Sequence, residues 1–389
     1  MLAVAHRSPH RLRVAAGLNL PRRRTVYGHG RVWVEVLRRL SEHVDLQLIQ
    51  PRYLPRRLAP IARRIAPVRK PDVWLINGDF SPPAVDGPAV IVFHEVLGPT
   101  PAFGGRESPV VSRSSTHPYE QCMRIATRVV TPSRVIAREV VTAFDFPPEQ
   151  IDAIPYGVDV EVFRPELAGG RQIVASAGRR APAPYVLFGA SLLPRKNLSA
   201  LREAMTILAH DGFPQILAIV AGPSPGGGDD QLQLQLEAEA ELSGAPGRVV
   251  RVPWPVSERQ MATLMAGADA VCVPSLFEGF GLVALESMAC GAATVVSMRG
   301  SLPEVIGDAG VVVAPTPEAI ADGLKRVLAD PAEAERLGAA ARIRAKSMTW
   351  DHTVAGWVGA LSRAADEGEV RFHGVRACGA SVQPESKLV

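Results

Sequence analysis

The sequence predicts an α/β protein built from two Rossmann-like domains with parallel sheets. Apolar runs of strand length alternate with helix-like runs along the whole chain, as in strands joined by helical crossovers. The 389 residues exceed one ordinary domain, and a hydrophobic content of 47% is enough for two cores. A stretch rich in Pro and Gly, at 157–184, separates two similar halves and is typical of a linker.

The predicted strands are short apolar runs bounded by polar, Gly or Pro residues. In the first half they are expected near residues 12–18, 44–49, 73–76, 90–93, 128–131 and 151–154. In the second half they are expected near residues 186–190, 215–221, 249–252, 270–273, 294–296 and 310–313. Ser133 and Asn197 are predicted to N-cap the helices that follow them, over 134–144 and 198–209.

The last predicted helix covers residues 349–366. Trp350, Val354, Trp357 and Leu361 recur at helical spacing and would form its apolar face. After Asp366 the chain becomes polar and contains glycine, so residues 367–389 are expected to be disordered. These patterns predict domains over 1–165 and 166–348.

Cysteine usage and hydropathy bear on the compartment. The four cysteines lack metal-ligand spacing, and Cys272 and Cys290 fall in apolar segments, where they would be buried free thiols. This pattern fits a reducing compartment, and no apolar run is long enough for a signal peptide or a membrane span. The sequence therefore predicts a cytoplasmic protein, or one bound at the inner face of a membrane.

A βαβ unit at 268–297 is the most informative stretch. A buried strand leads through Phe277-Glu-Gly-Phe-Gly281 into a helix, and the helix N-terminus would lie where parallel sheets bind anionic ligands. Glu278 and Glu286 stand eight residues apart, in the loop and in the helix. A carboxylate accepts hydrogen bonds from a vicinal diol, so this pair suits a ribose or a hexose. Either glutamate alone could equally be a solvated helix face.

Arg195 and Lys196 follow the first strand of the second half and come just before a predicted helix. Two cations beside a helix N-terminus make a strong diphosphate site. The alternative is an ordinary exposed basic loop.

The string Glu278-Gly-Phe-Gly281 with Glu286, Gly291 and Pro303-Glu304 closely resembles the donor-site signature of the retaining GT-B glycosyltransferases of family 4. The resemblance covers nearly the whole chain. It implies the GT-B fold, with two Rossmann-like domains whose parallel sheets face each other across a cleft. Residues 1–165 would form the acceptor-side domain, 166–348 would bind a nucleotide sugar, and 349–366 would cross back to the first domain.

The resemblance also implies roles for residues of the second domain. Arg195 and Lys196 would stabilise the departing nucleoside diphosphate, and Glu286 would accept hydrogen bonds from the ribose hydroxyls. Glu278 would hold the donor sugar, so Glu278→Ala is expected to spare binding of the free diphosphate. The backbone that would hold the sugar and its phosphate is that of Phe280, Gly281 and Leu282, and the base would bind near residues 252–255.

In the first domain, Gly28 and Gly30 resemble a glycine pair that lies close to the donor phosphate and the acceptor, although His29 separates them here. His94 ends a predicted strand and resembles an active-site histidine that lies against the transferred sugar. Without the resemblance His94 would be an ordinary polar strand end. Tyr156 stands where the family usually has Asn, in an element interpreted as structural.

No organic cofactor and no metal is expected, because the chain contains no Asp-X-Asp pair and its cations with a helix dipole could stabilise the leaving group. The resulting hypothesis is a retaining, metal-independent hexosyltransferase. UDP, GDP and ADP donors and sugar, lipid or small polar acceptors all remain candidates. Two alternatives stay open, a GT-B-fold sugar-nucleotide epimerase and a non-catalytic sugar-nucleotide-binding protein.

The N-terminal part of the chain is strongly basic. Residues 1–80 hold 15 Arg and one Lys against three Asp and two Glu, a formal excess of +11, whereas the whole chain carries +4. The stretch 52–70 combines basic residues with apolar ones at helical spacing, a pattern that contact with an anionic membrane surface would explain. An ordinary helix packed on the sheet, with its arginines in water, explains the pattern slightly better. Nucleic acid is not predicted, because no recognition motif accompanies the charge.

Overall fold

The computed structural model describes residues 11–17, 28–49, 70–95, 116–179, 181–222 and 249–378. The described chain forms two compact units, here called unit 1 and unit 2. Unit 1 holds the residues up to Ile154 together with those from Asp351 onward, and unit 2 is Pro155–Trp350. The basic stretch 52–69, and with it nearly all of the predicted membrane-contact segment, lies outside the described residues.

Unit 1 contains one parallel sheet of six strands in the order β2-β1-β3-β4-β5-β6. Three of its interior strands, β3, β4 and β5, are buried along their whole length because helices cover the sheet. The strands are β1 Arg13–Gly17, β2 Asp45–Ile49, β3 Val73–Asn77, β4 Ala89–Val92, β5 Arg128–Thr131 and β6 Ile151–Ala153. The helices are His29–His43, Thr116–Ile125, Arg134–Phe144 and the final helix Trp350–Cys378, with a 3-10 turn at Pro148–Gln150.

Unit 2 contains a second parallel sheet of six strands, in the order β12-β11-β10-β7-β8-β9. The strands are β7 Tyr185–Gly189, β8 Ile216–Val220, β9 Val249–Val252, β10 Ala270–Val273, β11 Thr294–Ser297 and β12 Val311–Val313. The helices are Gly170–Ala177, Leu198–His210, Glu258–Ala266, Leu282–Ala289, Leu302–Ile306, Pro317–Leu328 and Pro331–Ser347, with a 3-10 turn at Pro194–Lys196. The strand order reverses between β7 and β10, and parallel sheets bind ligands at the carboxyl ends of such strands.

The predicted α/β class and parallel sheets are confirmed, and each of the twelve predicted strands is present to within two residues at either end. The predicted N-cap at Ser133 is also confirmed, since its Oγ accepts from the backbone N–H of Ile136 at 3.2 Å. The strands were predictable because strands covered on both faces consist of continuous apolar runs.

The prediction for Asn197 is wrong. Asn197 adopts a left-handed conformation with φ of +56°, and its side chain does not cap the helix Leu198–His210. Instead its Nδ2 donates to the carbonyls of Pro274 at 3.1 Å and Pro315 at 3.0 Å. The 3-10 turn ends at Asn197, and the amide is used to join the loops that follow β10 and β12.

The unit boundary falls at Ile154, whereas the sequence predicted a domain boundary at 165. Residues after Ile154 pack into unit 2: Tyr156 stacks with Trp350 at a centroid distance of 6.3 Å, and the Val158 N–H donates to the Met348 carbonyl at 3.0 Å. A Cβ at Gly157 would meet the backbone of Trp350 at 2.1 Å, so only glycine permits this close approach.

The final helix continues to Cys378, beyond the predicted end at Asp366. An ion pair supports the extension, because Arg128 Nη1 lies 2.6 Å from Glu367 Oε1. The expected disorder over 367–378 is therefore not what the structure shows, and residues 379–389 lie outside the described part. Among the described helices, none is long and apolar enough to span a membrane.

Unit 1 contains a carboxyl group whose proton affinity couples to folding. Burial and the charge of Glu95 raise the pKa of Glu139 from its usual value to about 7. Its Oε2 is buried and has no hydrogen-bond partner among the described residues. A raised pKa in the folded state means that its stabilising contribution is complete below the unfolded pKa and is lost as the pH rises through about 7.

We therefore expect Glu139→Gln to raise the unfolding midpoint at pH 8 relative to the unmodified protein and to leave it nearly unchanged at pH 4, which lies below the usual pKa of 4.5. Thermal unfolding across this range measures the effect, with Glu149→Gln, at an exposed position of unit 1, as the matched control. Equal shifts at both pH values would contradict the assignment.

Candidate active site

Two loops of unit 2 meet at the point where the strand order reverses. One follows β7 and contains the 3-10 turn Pro194–Lys196, and the other follows β10 and leads into the helix Leu282–Ala289. The two strands are parallel neighbours, so both loops leave the same edge of the sheet. A backbone hydrogen bond joins them directly, from Leu276 N–H to the Arg195 carbonyl at 2.7 Å.

The loops bring two cations and one carboxylate together. Lys196 Nζ lies 2.6 Å from Glu278 Oε1, and Arg195 Nη1 lies 3.8 Å from Glu278 Oε2. Ser275 Oγ donates to Glu278 Oε1 at 2.7 Å. These three charged side chains are between 12% and 19% exposed, so their charges are only partly screened by water. The cluster carries a net charge of +1.

The ion pairs keep Glu278 ionised. Burial raises the pKa of this carboxyl, but the charges of Lys196 and Arg195 and the hydrogen bonds from Lys196 and Ser275 outweigh burial, and the pKa lies below its usual value. Glu278 is therefore a hydrogen-bond acceptor throughout the neutral range.

The N-terminus of the helix Leu282–Ala289 lies beside this cluster in the chain. Gly281 precedes the helix with φ of +101°, a conformation that favours glycine, and no described side chain caps the helix. A Cβ at Gly281 would also meet Leu302 Cδ2 at 2.7 Å. The first N–H groups of the helix, beginning with Leu282, therefore lack a side-chain cap and suit an anion.

The segment 299–301 holds the Glu278 loop from the other side. The Ser301 N–H donates to the Glu278 carbonyl at 3.0 Å, and Ser301 Oγ lies 3.0 Å from that carbonyl oxygen and 2.7 Å from the carbonyl oxygen of Phe280. Gly300 lies against the Glu278 peptide, where a Cβ would come within 2.3 Å of the carbonyl oxygen. Sequence reasoning missed Ser275, Gly300 and Ser301, because small residues near a turn carry no specific signal without their partners.

Glu286 lies within the helix that begins at Leu282 and is 6% exposed. Glu286 is therefore not on a solvated helix face, which was the alternative interpretation from the sequence. The structure thus joins Arg195, Lys196 and Glu278 in one cluster, and Glu286 lies in the helix that follows this cluster in the chain.

In unit 1, Gly28 precedes the helix His29–His43 with φ of +53°, and Gly30 is buried in the first turn. His94 follows β4 and is 1% exposed. Trp33, in the helix that follows Gly28, lies edge-on to His94 at a centroid distance of 5.8 Å and edge-on to Trp357 at 5.3 Å. The structure therefore places His94 against the glycine-led helix, while contact of Gly28, Gly30 and His94 with a donor or acceptor stays a prediction.

The possible metal ligands do not cluster in the part of the chain that the structure describes. No group of three or more His, Cys, Asp or Glu side chains is arranged there to hold a metal ion. The predicted metal independence is a separate matter, which chelation can test.

Two models of known protein families match this chain, one in each half. The model of glycosyl transferases group 1 matches residues 171–344, and that of glycosyltransferase family 4 matches residues 5–162. A D-inositol 3-phosphate glycosyltransferase of Nocardioides is 34% identical over 60% of this chain and 53% of its own length. An MMP alpha-(1->4)-mannosyltransferase of Mycolicibacterium hassiacum is 30% identical over 63% of this chain and 57% of its own length. The matches thus span little more than half of these curated relatives.

Solved structures share the fold. A sucrose-phosphate synthase from Thermosynechococcus elongatus has a TM-score of 0.70 at 19% identity, covering 90% of this chain and 98% of its own. HepE of Anabaena, in complex with UDP and glucose, has a TM-score of 0.68 at 17% identity, covering 90% of this chain and 100% of its own. At these identities the likeness shows the GT-B fold alone.

Proposed function

The chain belongs to the group 1 glycosyltransferases, and from this premise we propose that it is a retaining, metal-independent hexosyltransferase that uses a nucleoside diphosphate sugar. The acceptor would be a sugar, a lipid or a small polar molecule.

The observation that carries the proposal is the cluster of Arg195, Lys196 and Glu278 at the carboxyl edge of the second sheet. A net positive charge beside an uncapped helix N-terminus suits a diphosphate, which needs both cations and N–H donors. Glu278 adds an acceptor that a simple anion site would not need but a sugar would use. The combination therefore fits a sugar diphosphate better than a phosphate alone.

In catalysis this site would stabilise the nucleoside diphosphate as it leaves the sugar. Negative charge grows on the diphosphate as the glycosidic bond breaks, and preorganised cations stabilise that charge most strongly in the transition state. Arg195 and Lys196 would supply this stabilisation, with the N–H groups of the helix that begins at Leu282. Glu286 would accept from the ribose hydroxyls, and the backbone of Phe280 and Gly281 would hold the sugar.

The relatives support the chemical class of the substrates. Their names specify a glycosyltransferase of D-inositol 3-phosphate and a mannosyltransferase, and HepE was solved with UDP and glucose. A hexose linked to UDP and a hydroxyl-rich acceptor are therefore the substrates to test first, and GDP- and ADP-sugars remain in the panel. Contact with an anionic membrane and a cytoplasmic location at or near its inner face stay predictions, since the stretch 52–69 is not described.

Two assays test the proposal in sequence. A panel of UDP-, GDP- and ADP-sugars should contain a donor that raises the unfolding midpoint, because a ligand that binds only the folded state stabilises it by mass action. With that donor, release of nucleoside diphosphate should persist in EDTA. Activity that disappears on chelation and returns with Mg²⁺ or Mn²⁺ would refute metal independence, and a panel without any stabilising donor would refute the function itself.

A further inference from the structure

Glu278 contacts the cation that the proposed function assigns to the diphosphate. In the structure Lys196 Nζ already has a carboxylate oxygen at 2.6 Å, which is the distance of a charge-assisted hydrogen bond. Arg195 Nη1 is 3.8 Å from the other carboxylate oxygen. The carboxylate and a phosphate are both anionic acceptors, so the carboxylate neutralises part of the Lys196 charge that a phosphate would otherwise meet, and the two compete electrostatically for it.

We propose that Glu278 is an intramolecular competitor of the nucleoside diphosphate product, and that its carboxylate takes over Lys196 as the product leaves. The inference rests on the proposed function, and it assigns to that site a means of product release. It also replaces the expectation that removing Glu278 leaves diphosphate binding unchanged.

The surroundings of Glu278 keep the competitor in place. Ser275 is 1% exposed and donates to Oε1 at 2.7 Å, which anchors the carboxylate on the side of Lys196. Ser301 bonds the Glu278 carbonyl, and Gly300 lies against the same peptide, so the backbone is held as well. Because Glu278 is held at its carboxylate and at its backbone, it stays close to Lys196 when a diphosphate enters. The diphosphate therefore binds against a standing negative charge, and Lys196 returns to the carboxylate when the diphosphate leaves.

This arrangement would weaken binding of the free nucleoside diphosphate more than binding of the sugar donor. The sugar donor can offset the competition, because the carboxylate gains hydroxyl partners when a hexose is present. The free nucleoside diphosphate brings no hexose, so it meets the repulsion without the compensating hydrogen bonds. Glu278 thereby favours the donor over the product, which is the selectivity that turnover requires.

Binding of UDP, GDP and ADP to the unmodified protein and to Glu278→Gln, measured by titration calorimetry, tests the inference. We expect Glu278→Gln to bind the nucleotide that the unmodified protein prefers about tenfold more tightly, with slower dissociation, because the negative charge beside Lys196 and Arg195 is removed. Glu335→Gln removes one exposed negative charge from the same unit and should not change the affinity. Glu278→Ala is the second variant, and it should tighten binding as well.

Each outcome has a separate meaning. Equal or weaker nucleotide binding by folded Glu278→Gln and Glu278→Ala would overturn the competitor role and leave the proposed function standing. An unmodified protein that binds none of UDP, GDP and ADP would overturn the proposed function and this inference with it. Equal tightening in Glu335→Gln would attribute the effect to net charge and would also overturn the inference.

Discussion

Lys196→Ala should lower kcat/KM by a factor of tens to several hundred. The loss corresponds to roughly 2–4 kcal/mol of transition-state stabilisation, which is typical of removing one preorganised donor to a developing anion. The ion pair adds to the effect. Without Lys196, the nearest cation to Glu278 among the described residues is Arg195 at 3.8 Å, so the carboxylate charge is less well neutralised and repels the diphosphate. Steady-state kinetics with the selected donor measure the change.

Two further variants separate these contributions. Lys346→Ala removes an exposed lysine from the same unit and should leave kcat/KM unchanged. The double variant Lys196→Ala/Glu278→Gln should bind nucleoside diphosphate more tightly than Lys196→Ala alone, because the repelling carboxylate is gone. A folded Lys196→Ala protein with unchanged kcat/KM would remove this lysine from the mechanism.

Gly300→Ala should lower kcat by about two orders of magnitude, the loss typical of a displacement of about 1 Å at a reacting site. The new Cβ would come within 2.3 Å of the Glu278 carbonyl oxygen and 2.7 Å of its nitrogen, and both are backbone atoms that can yield only if the loop moves. The φ of +58° adds a backbone cost of about 1–2 kcal/mol for a residue with a Cβ. Kinetics and thermal unfolding should be measured on the same preparation.

Gly291→Ala is the matched control for backbone strain. Gly291 has φ of +69°, but a Cβ there would meet its nearest neighbour, Pro165, at 3.4 Å, which is an ordinary contact. Both variants should lose a similar part of their stability from the positive φ, whereas only Gly300→Ala should lose most of its kcat. Equal loss of activity in the two variants would argue that strain alone, and not the position of Glu278, explains the effect.

Much of the architecture was legible in the chain itself. Strands in a covered parallel sheet are buried on both faces, so β7, β8 and β10 are continuous apolar runs that no other element of that length would need. The helix start at Ser133 follows from local hydrogen bonding, which depends on residues only three apart. The glycine loop before the helix Leu282–Ala289 was likewise predictable, because Gly281 has a backbone conformation that few other residues adopt.

Local rules failed where a side chain had a distant partner. Asn197 has the chemistry of an N-cap, but its amide bonds the carbonyls of Pro274 and Pro315, which are far away in the chain. The bond to Pro274 is buried and supplies a carbonyl with a donor that water cannot provide, and this tertiary demand overrides the capping preference.

The sequence by itself determined the two α/β halves and the glycine loop 277–281. It also determined that Arg195 and Lys196 lie just before a helix. Only the tertiary structure decided that Lys196 and Glu278, which are 82 residues apart, form an ion pair with Ser275 bonded to the same oxygen. The reason is the strand order: β7 and β10 become neighbours only when the sheet is assembled, and their loops meet at its edge as a consequence.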